Sequence, residues 1–192
     1  MTFLFLGLLV FLGVHSTRII AEDWRAAQIR RLGEMTWKAL YSVLSLAGLG
    51  LIAWGYAQAR QAPVVLWSPP AGMRHATELL TLIAFILLVA GYVPRNAIKS
   101  AVHHPVALSG WFWAGAHLLS NGKLTGAVLF GTFLVWASAC FIAARKRDRL
   151  AGTQYPAGSP GATAISVGIG AAAWAGFAFW LHGALIGVRP FG

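Results

Sequence analysis

Charge is scarce in this chain, and negative charge is the scarcest. Of 192 residues only 10% are charged, with five Asp and Glu against fifteen Lys and Arg. Glu22, Asp23 and Asp148 fall in polar stretches; only Glu34 and Glu78 lie near or within an apolar one. So few carboxylates leave hard-cation sites and carboxylate proton relays poorly supported. No set of nucleophile, base and orienting acid stands out as hydrolytic machinery. Cysteine is scarcer still. Cys140 stands alone inside an apolar run, which excludes an internal disulfide, a cysteine-held iron–sulfur cluster and a thiolate zinc site. No C-x-x-C-H occurs, so covalent c-type haem attachment is excluded as well. Cys140 reads as a small hydrophobe in a helix.

Apolar residues are plentiful instead, at 58% of the chain with a mean hydropathy of +0.67. A soluble fold of this composition would expose large apolar patches, whereas a lipid bilayer accepts them. Six apolar spans are predicted, over 2–20, 36–57, 76–94, 106–121, 124–144 and 162–187. About 20 residues at ~1.5 Å each cross ~30 Å of hydrocarbon. The fourth span is short and opens at Pro105. The expected fold is all-α, a polytopic membrane bundle of about six transmembrane helices forming a single domain over 1–192. The first span has no Lys or Arg in Met1–Phe5 and no small-x-small site before Glu22, so it reads as a retained helix rather than a cleaved signal.

The net charge of +10 is dispersed in short stretches between spans. That distribution speaks against nucleic acid and for anionic lipid headgroups. Eleven Lys and Arg fall in the loops after the first, third and fifth spans: Arg18, Arg25, Arg30, Arg31, Lys38, Arg95, Lys99, Arg145, Lys146, Arg147 and Arg149. Four lie on the other side: Arg60, Arg74, Lys123 and Arg189. The excess of positive charge on the cytoplasmic side predicts both termini outside the cytoplasm, which for a bacterial inner membrane means the periplasm. Residues Ile19–Gly33 mix apolar and basic side chains at near-helical spacing, as a helix lying in the headgroup layer would. The run Trp67–Gly72 holds two prolines and predicts a stiff turn, and Thr153–Thr163 predicts a Gly-, Pro- and Ser-rich linker. Small residues at four-residue spacing (Gly122/Gly126, Gly168/Ala172/Gly176, Gly183/Gly187) predict close helix approach. They leave the oligomeric state open.

Six histidines carry the chemistry: His15, His75, His103, His104, His117 and His182. His15, His75, His117 and His182 lie within or at the ends of apolar spans, where a titratable group is costly and needs a partner. Neutral imidazoles between helices suit haem iron or a soft divalent metal. Each also has a plainer reading. His75 follows Arg74 at a predicted interface, His103 falls in a loop, and His182 can bond a nearby backbone carbonyl. His104 precedes Pro105 and can cap the fourth helix or bind an anionic group.

The stretch from His104-Pro105 through Ser109-Gly110-Trp111-Phe112-Trp113 to Ala116-His117-Leu118-Leu119-Ser120-Asn121-Gly122 resembles the signature of the NnrU family, which is linked to bacterial denitrification. Gly13-Val14-His15-Ser16, Leu32-Gly33-Glu34, Tyr41-Ser42, Val65-Leu66-Trp67 with Pro69, Tyr92-Val93-Pro94, Trp180-Leu181-His182 and Ile186-Gly187-Val188 agree in the same order. The family is similar to the 15-cis-ζ-carotene isomerases, membrane proteins that hold a b-type haem through histidine and isomerise a double bond in a redox-dependent way. The resemblance implies haem b, a hydrophobic small-molecule substrate, and His15 and His117 as axial ligands. Arg18, one turn beyond His15, and Arg95 and Lys99 are candidate propionate partners. His104 matches a further family position, where His103 replaces the usual arginine. By rise per residue the depths of His15 and His117 differ by ~10 Å, so a rival ligand set is the outer trio His75, His117 and His182, with His15, His103 and His104 on the inner side. Two other functions are weighed. One is an S-adenosylmethionine-dependent membrane methyltransferase similar to the isoprenylcysteine enzymes, of which only His104-Pro105 matches. The other is an accessory factor for nitrite or nitric oxide reductases.

Overall fold

A computed structural model describes residues 1–70 and 72–191, and within them every regular element is helical. The order is α1 (Thr2–Ile20), α2 (Glu22–Leu32), α3 (Glu34–Ala59), α4 (Met73–Tyr92), α5 (Ala97–Val102), α6 (Pro105–Ser120), α7 (Leu124–Ala151) and α8 (Pro160–Gly176). One π-helical turn, Phe177–Leu181, then leads into α9 (His182–Ile186). Among the described residues, five stretches are long and apolar enough to cross a membrane: α1, α3, α4, α7 and the continuous run Pro160–Ile186. Helix α6 has 16 residues and spans about 24 Å. It coincides with the short fourth span expected from the sequence but is not among these five. The protein is a helical membrane protein.

The chain divides into two compact units. Unit 1 is Met1–Trp67 with Gly122–Thr132, and unit 2 is Ser68–Asn121 with the chain from Phe133 on. In unit 1, α1 and α3 form an antiparallel hairpin. Leu4, Leu8 and Leu12 make one buried stripe at i, i+4, i+8, and Ile52 is buried opposite them. The helices approach through glycine. A Cβ on Gly7 would overlap the backbone of Ile52 and Gly48; one on Gly48 would overlap Phe11, and one on Gly55 would overlap Leu4. This closeness of backbones is what small residues permit between apolar helices. The connector α2 buries no residue; it ends at Gly33, whose φ of 82° lets the chain turn sharply into α3. Trp24 is exposed on α2 and sets its ring edge-on to Trp37. Beyond α3, Leu66 N–H donates to the Gly122 carbonyl (2.8 Å) and Leu124 N–H to the Val64 carbonyl (2.9 Å), which ties the start of α7 to this unit.

In unit 2, α4 packs on α6 and α8. Ala84, Leu87 and Ala90 of α4 and Ala114 and Ala116 of α6 are buried. Thr77 Oγ1 donates to the Ala116 carbonyl (3.1 Å) and Trp174 Nε1 to Thr81 Oγ1 (3.0 Å). The small-residue stripe expected on α8 lies on the wrong face. Gly168 and Gly176 face open space, while a Cβ on Gly170 would overlap the backbone of Ile86. Two residues turn a helix by about 200°, so Gly168 and Gly170 look in opposite directions. The linker is also shorter than expected: Ser159 accepts a hydrogen bond from Ala162 N–H, and Pro160–Thr163 already form the first turn of α8. The α4–α5 corner is held by Asn96, which is 1% exposed. Its Nδ2 donates to the carbonyls of Ala90 (2.9 Å) and Val93 (2.6 Å), and its Oδ1 accepts from Lys99 N–H (2.8 Å).

Candidate functional site

Helical periodicity decides what each histidine can offer. His15 is half-buried on α1, and its Nδ1 donates to the Phe11 carbonyl one turn back (2.6 Å). Its ring stacks on Phe11 with centroids 4.2 Å apart and lies 5.0 Å from the Tyr41 ring. His117 on α6 repeats the device: Nδ1 donates to the Trp113 carbonyl (2.8 Å), and the Trp113 ring is 5.3 Å away. A backbone carbonyl can only accept, so each bond fixes the proton on Nδ1 and leaves the lone pair on Nε2. His15 belongs to unit 1 and His117 to unit 2.

His182 follows the π-helical turn, and its Nδ1 donates to the Val188 carbonyl (2.7 Å) across the chain reversal at Gly187, whose φ is 73°. Its ring lies 6.5 Å from that of His117, with planes 19° apart, and Phe177 meets it edge-on. Of the outer trio, His117 and His182 therefore come together. His75 is instead exposed and pairs with Glu78 (3.3 Å), which also faces Arg74 at 3.6 Å. Among the described residues, no group of three or more His, Cys, Asp or Glu is placed to hold a metal ion.

The remaining histidines meet partners that the sequence did not signal. His103 ends α5 with a φ of 66°, and this left-handed residue turns the chain so that His104 starts α6. His104 occupies the cap position, yet its side chain makes no cap. Its Nε2 donates instead to Asp148 Oδ2 on α7 (2.7 Å), so the anionic partner expected for His104 is the chain's own carboxylate. Tyr155 from the linker donates to the same oxygen (2.9 Å) and stacks on the His103 ring at 4.1 Å. The Arg145 guanidinium donates to His103 Nδ1. Burial pushes the Tyr155 phenol above its ordinary pKa, the hydrogen bond to Asp148 and the carboxylate charge push the same way, and Arg145 opposes them. Asp148 and Tyr155 stand 44 and 51 residues along the chain from His104, with no local pattern to mark them.

Of the basic residues expected near a cofactor, Arg18 is exposed in the last turn of α1. Lys99 Nζ donates to the Gly91 carbonyl (3.0 Å), and Arg95 adopts a φ of 54° beside Asn96.

No curated protein and no solved structure matches the chain. The profile of the NnrU protein family matches residues 3–190. That match spans both units and nearly the whole sequence, and this helical membrane protein belongs to the NnrU family.

Proposed function

We propose that this chain is a haem b-binding protein of the bacterial inner membrane, with both termini periplasmic, linked to denitrification. The family resemblance supports His15 and His117 as the imidazoles that would hold its iron. One observation carries the reading: both imidazoles sit in apolar helices, and each is anchored through Nδ1 to a carbonyl one turn back. Ligand histidines are held in this way, because the Nδ1 bond fixes the ring's orientation and leaves Nε2 as the donor atom. The residues present thus fit a b-type haem, which needs imidazole nitrogens and no thiolate. When bound, the group supplies one-electron redox chemistry. The chain fixes the tautomers, surrounds the imidazoles with the rings of Phe11, Tyr41 and Trp113, and offers Arg18 as a propionate partner at the end of α1. A hydrophobic polyene is the substrate class that the likeness to the carotene isomerases supports, with a redox-dependent isomerisation as the reaction.

The test is haem content by pyridine haemochrome in protein purified from cells grown with a haem precursor. Stoichiometric haem b is expected in the unaltered chain, with loss in His15→Ala and His117→Ala and retention in His75→Ala. A chain without haem under those conditions removes the proposal.

A further inference from the structure

The His104 side chain leaves the start of α6 uncapped and turns to Asp148 on α7 instead. A neutral imidazole that donates through one nitrogen to a carboxylate is held as an acceptor at the other. Here Nε2 donates to Asp148, so in the neutral imidazole Nδ1 carries the lone pair. Among the described residues nothing bonds that nitrogen. Its complement is an O–H or N–H donor.

The surroundings narrow the class further. The rings of Phe141 and Tyr155 stand edge-on to His104, at 6.3 and 6.1 Å, and the Tyr155 ring continues into His103 as a stacked pair. Phe141 and Asp148 are seven residues apart, two turns along one face of α7. Between them the helix passes from apolar sequence ending at Ala144 to the charged run Arg145–Arg149. The site therefore straddles an apolar and a polar zone and is walled by flat rings. A ligand that suits both zones has an apolar body and a flat aromatic headgroup bearing a hydroxyl.

We propose that His104, Asp148, Phe141 and Tyr155 form a binding site for the phenolic headgroup of a membrane-soluble hydroquinone. Its O–H donates to His104 Nδ1, and its ring packs against Phe141 and Tyr155. Asp148 and Tyr155 act as positioning residues, because they hold the imidazole in the accepting tautomer. The site is independent of the haem reading and stands whether or not His15 and His117 bind iron.

The test uses the full chain in nanodiscs, titrated with a short-chain hydroquinone and with its dimethyl ether, which lacks the donor. Saturable binding of the hydroquinone is expected, with the ether roughly tenfold weaker, as the loss of one hydrogen bond implies. His104→Phe should weaken the hydroquinone to the level of the ether and leave the ether unchanged. In nitrogen-15 histidine spectra, the His104 Nδ1 resonance should be that of an unprotonated nitrogen and should move on addition of hydroquinone. Equal affinity for hydroquinone and ether, undiminished binding in His104→Phe, or a proton resident on Nδ1 would overturn the assignment. If His104→Phe does not fold, the ether comparison and the tautomer of the unaltered protein decide.

Discussion

Replacing Gly55 by alanine puts a methyl group against the backbone of Leu4 and Phe3, closer than 3 Å to both. Gly7→Ala does the same against Ile52 and Gly48. Neither contact can relax by rotating a flexible side chain, so α1 and α3 must move apart. Overpacking of this kind costs about 1–3 kcal/mol. Against it stands the better helix propensity of alanine, worth about 1 kcal/mol. The expected net loss is up to ~2 kcal/mol at each site. Gly13 and Gly50 lie on the same two helices, but a Cβ at either meets nothing within 4 Å. There only the propensity acts, and Gly13→Ala and Gly50→Ala should be neutral or stabilising by up to ~1 kcal/mol. Unfolding by sodium dodecyl sulfate in mixed micelles, followed by tryptophan fluorescence, measures all four variants on one scale. The two pairs should fall on opposite sides of the unaltered protein. If Gly7→Ala and Gly55→Ala were as stable as Gly13→Ala and Gly50→Ala, the glycine-to-backbone packing of the hairpin would be refuted.

Asn96→Ala deletes three hydrogen bonds at a site 1% exposed and leaves one buried and one part-buried carbonyl without their Asn96 donor, so it should cost about 2–4 kcal/mol. Asn96→Asp should cost more, because a carboxylate would face those same carbonyls; thermal melts that rank the two the other way would contradict the assignment. The Tyr155 phenol should ionise above the ordinary value near 10, as read by phenolate absorbance in the difference between the unaltered chain and Tyr155→Phe. A pKa raised on folding means that its contribution to stability is present below the ordinary phenol value and is lost as pH rises through the folded one. Asp148→Asn should lower that pKa, since it removes the carboxylate charge. Titration of Tyr155 at or below the ordinary value would show that Asp148 does not hold it.

The membrane helices were legible because hydropathy reports what a helix offers to lipid: α1 begins and ends where its apolar run does. The signal fails where a helix leaves the apolar zone. Helix α7 continues through Arg145–Arg149 to Ala151, although its apolar run stops at Ala144, and α8 begins inside a stretch whose Gly and Pro suggested a linker. Small-residue spacing shows that helices can approach but not on which face. The glycines that let helices meet backbone to backbone are Gly7, Gly48, Gly55 and Gly170, outside the stripes expected; of those stripes Gly122 lies close to the Trp67 backbone, but in the loop before α7. The histidines were visible as residues that lipid would penalise, and the carbonyl one turn before His15 and His117 is fixed by helix geometry. The His104 partners were not visible, because Asp148 and Tyr155 reach it only through tertiary folding. The pairing of His117 with His182 likewise depends on the π-helical turn, which no residue pattern announces.

The central claim, that imidazoles anchored at Nδ1 in apolar helices hold a haem, is tested most directly by the reduced-minus-oxidised absorption spectrum of the purified protein. A Soret band with the sharp α band of a low-spin, two-histidine b haem is predicted, converting to a high-spin spectrum or vanishing in His117→Ala. A flat difference spectrum from cells supplied with a haem precursor, or an unchanged one in His117→Ala, would contradict it.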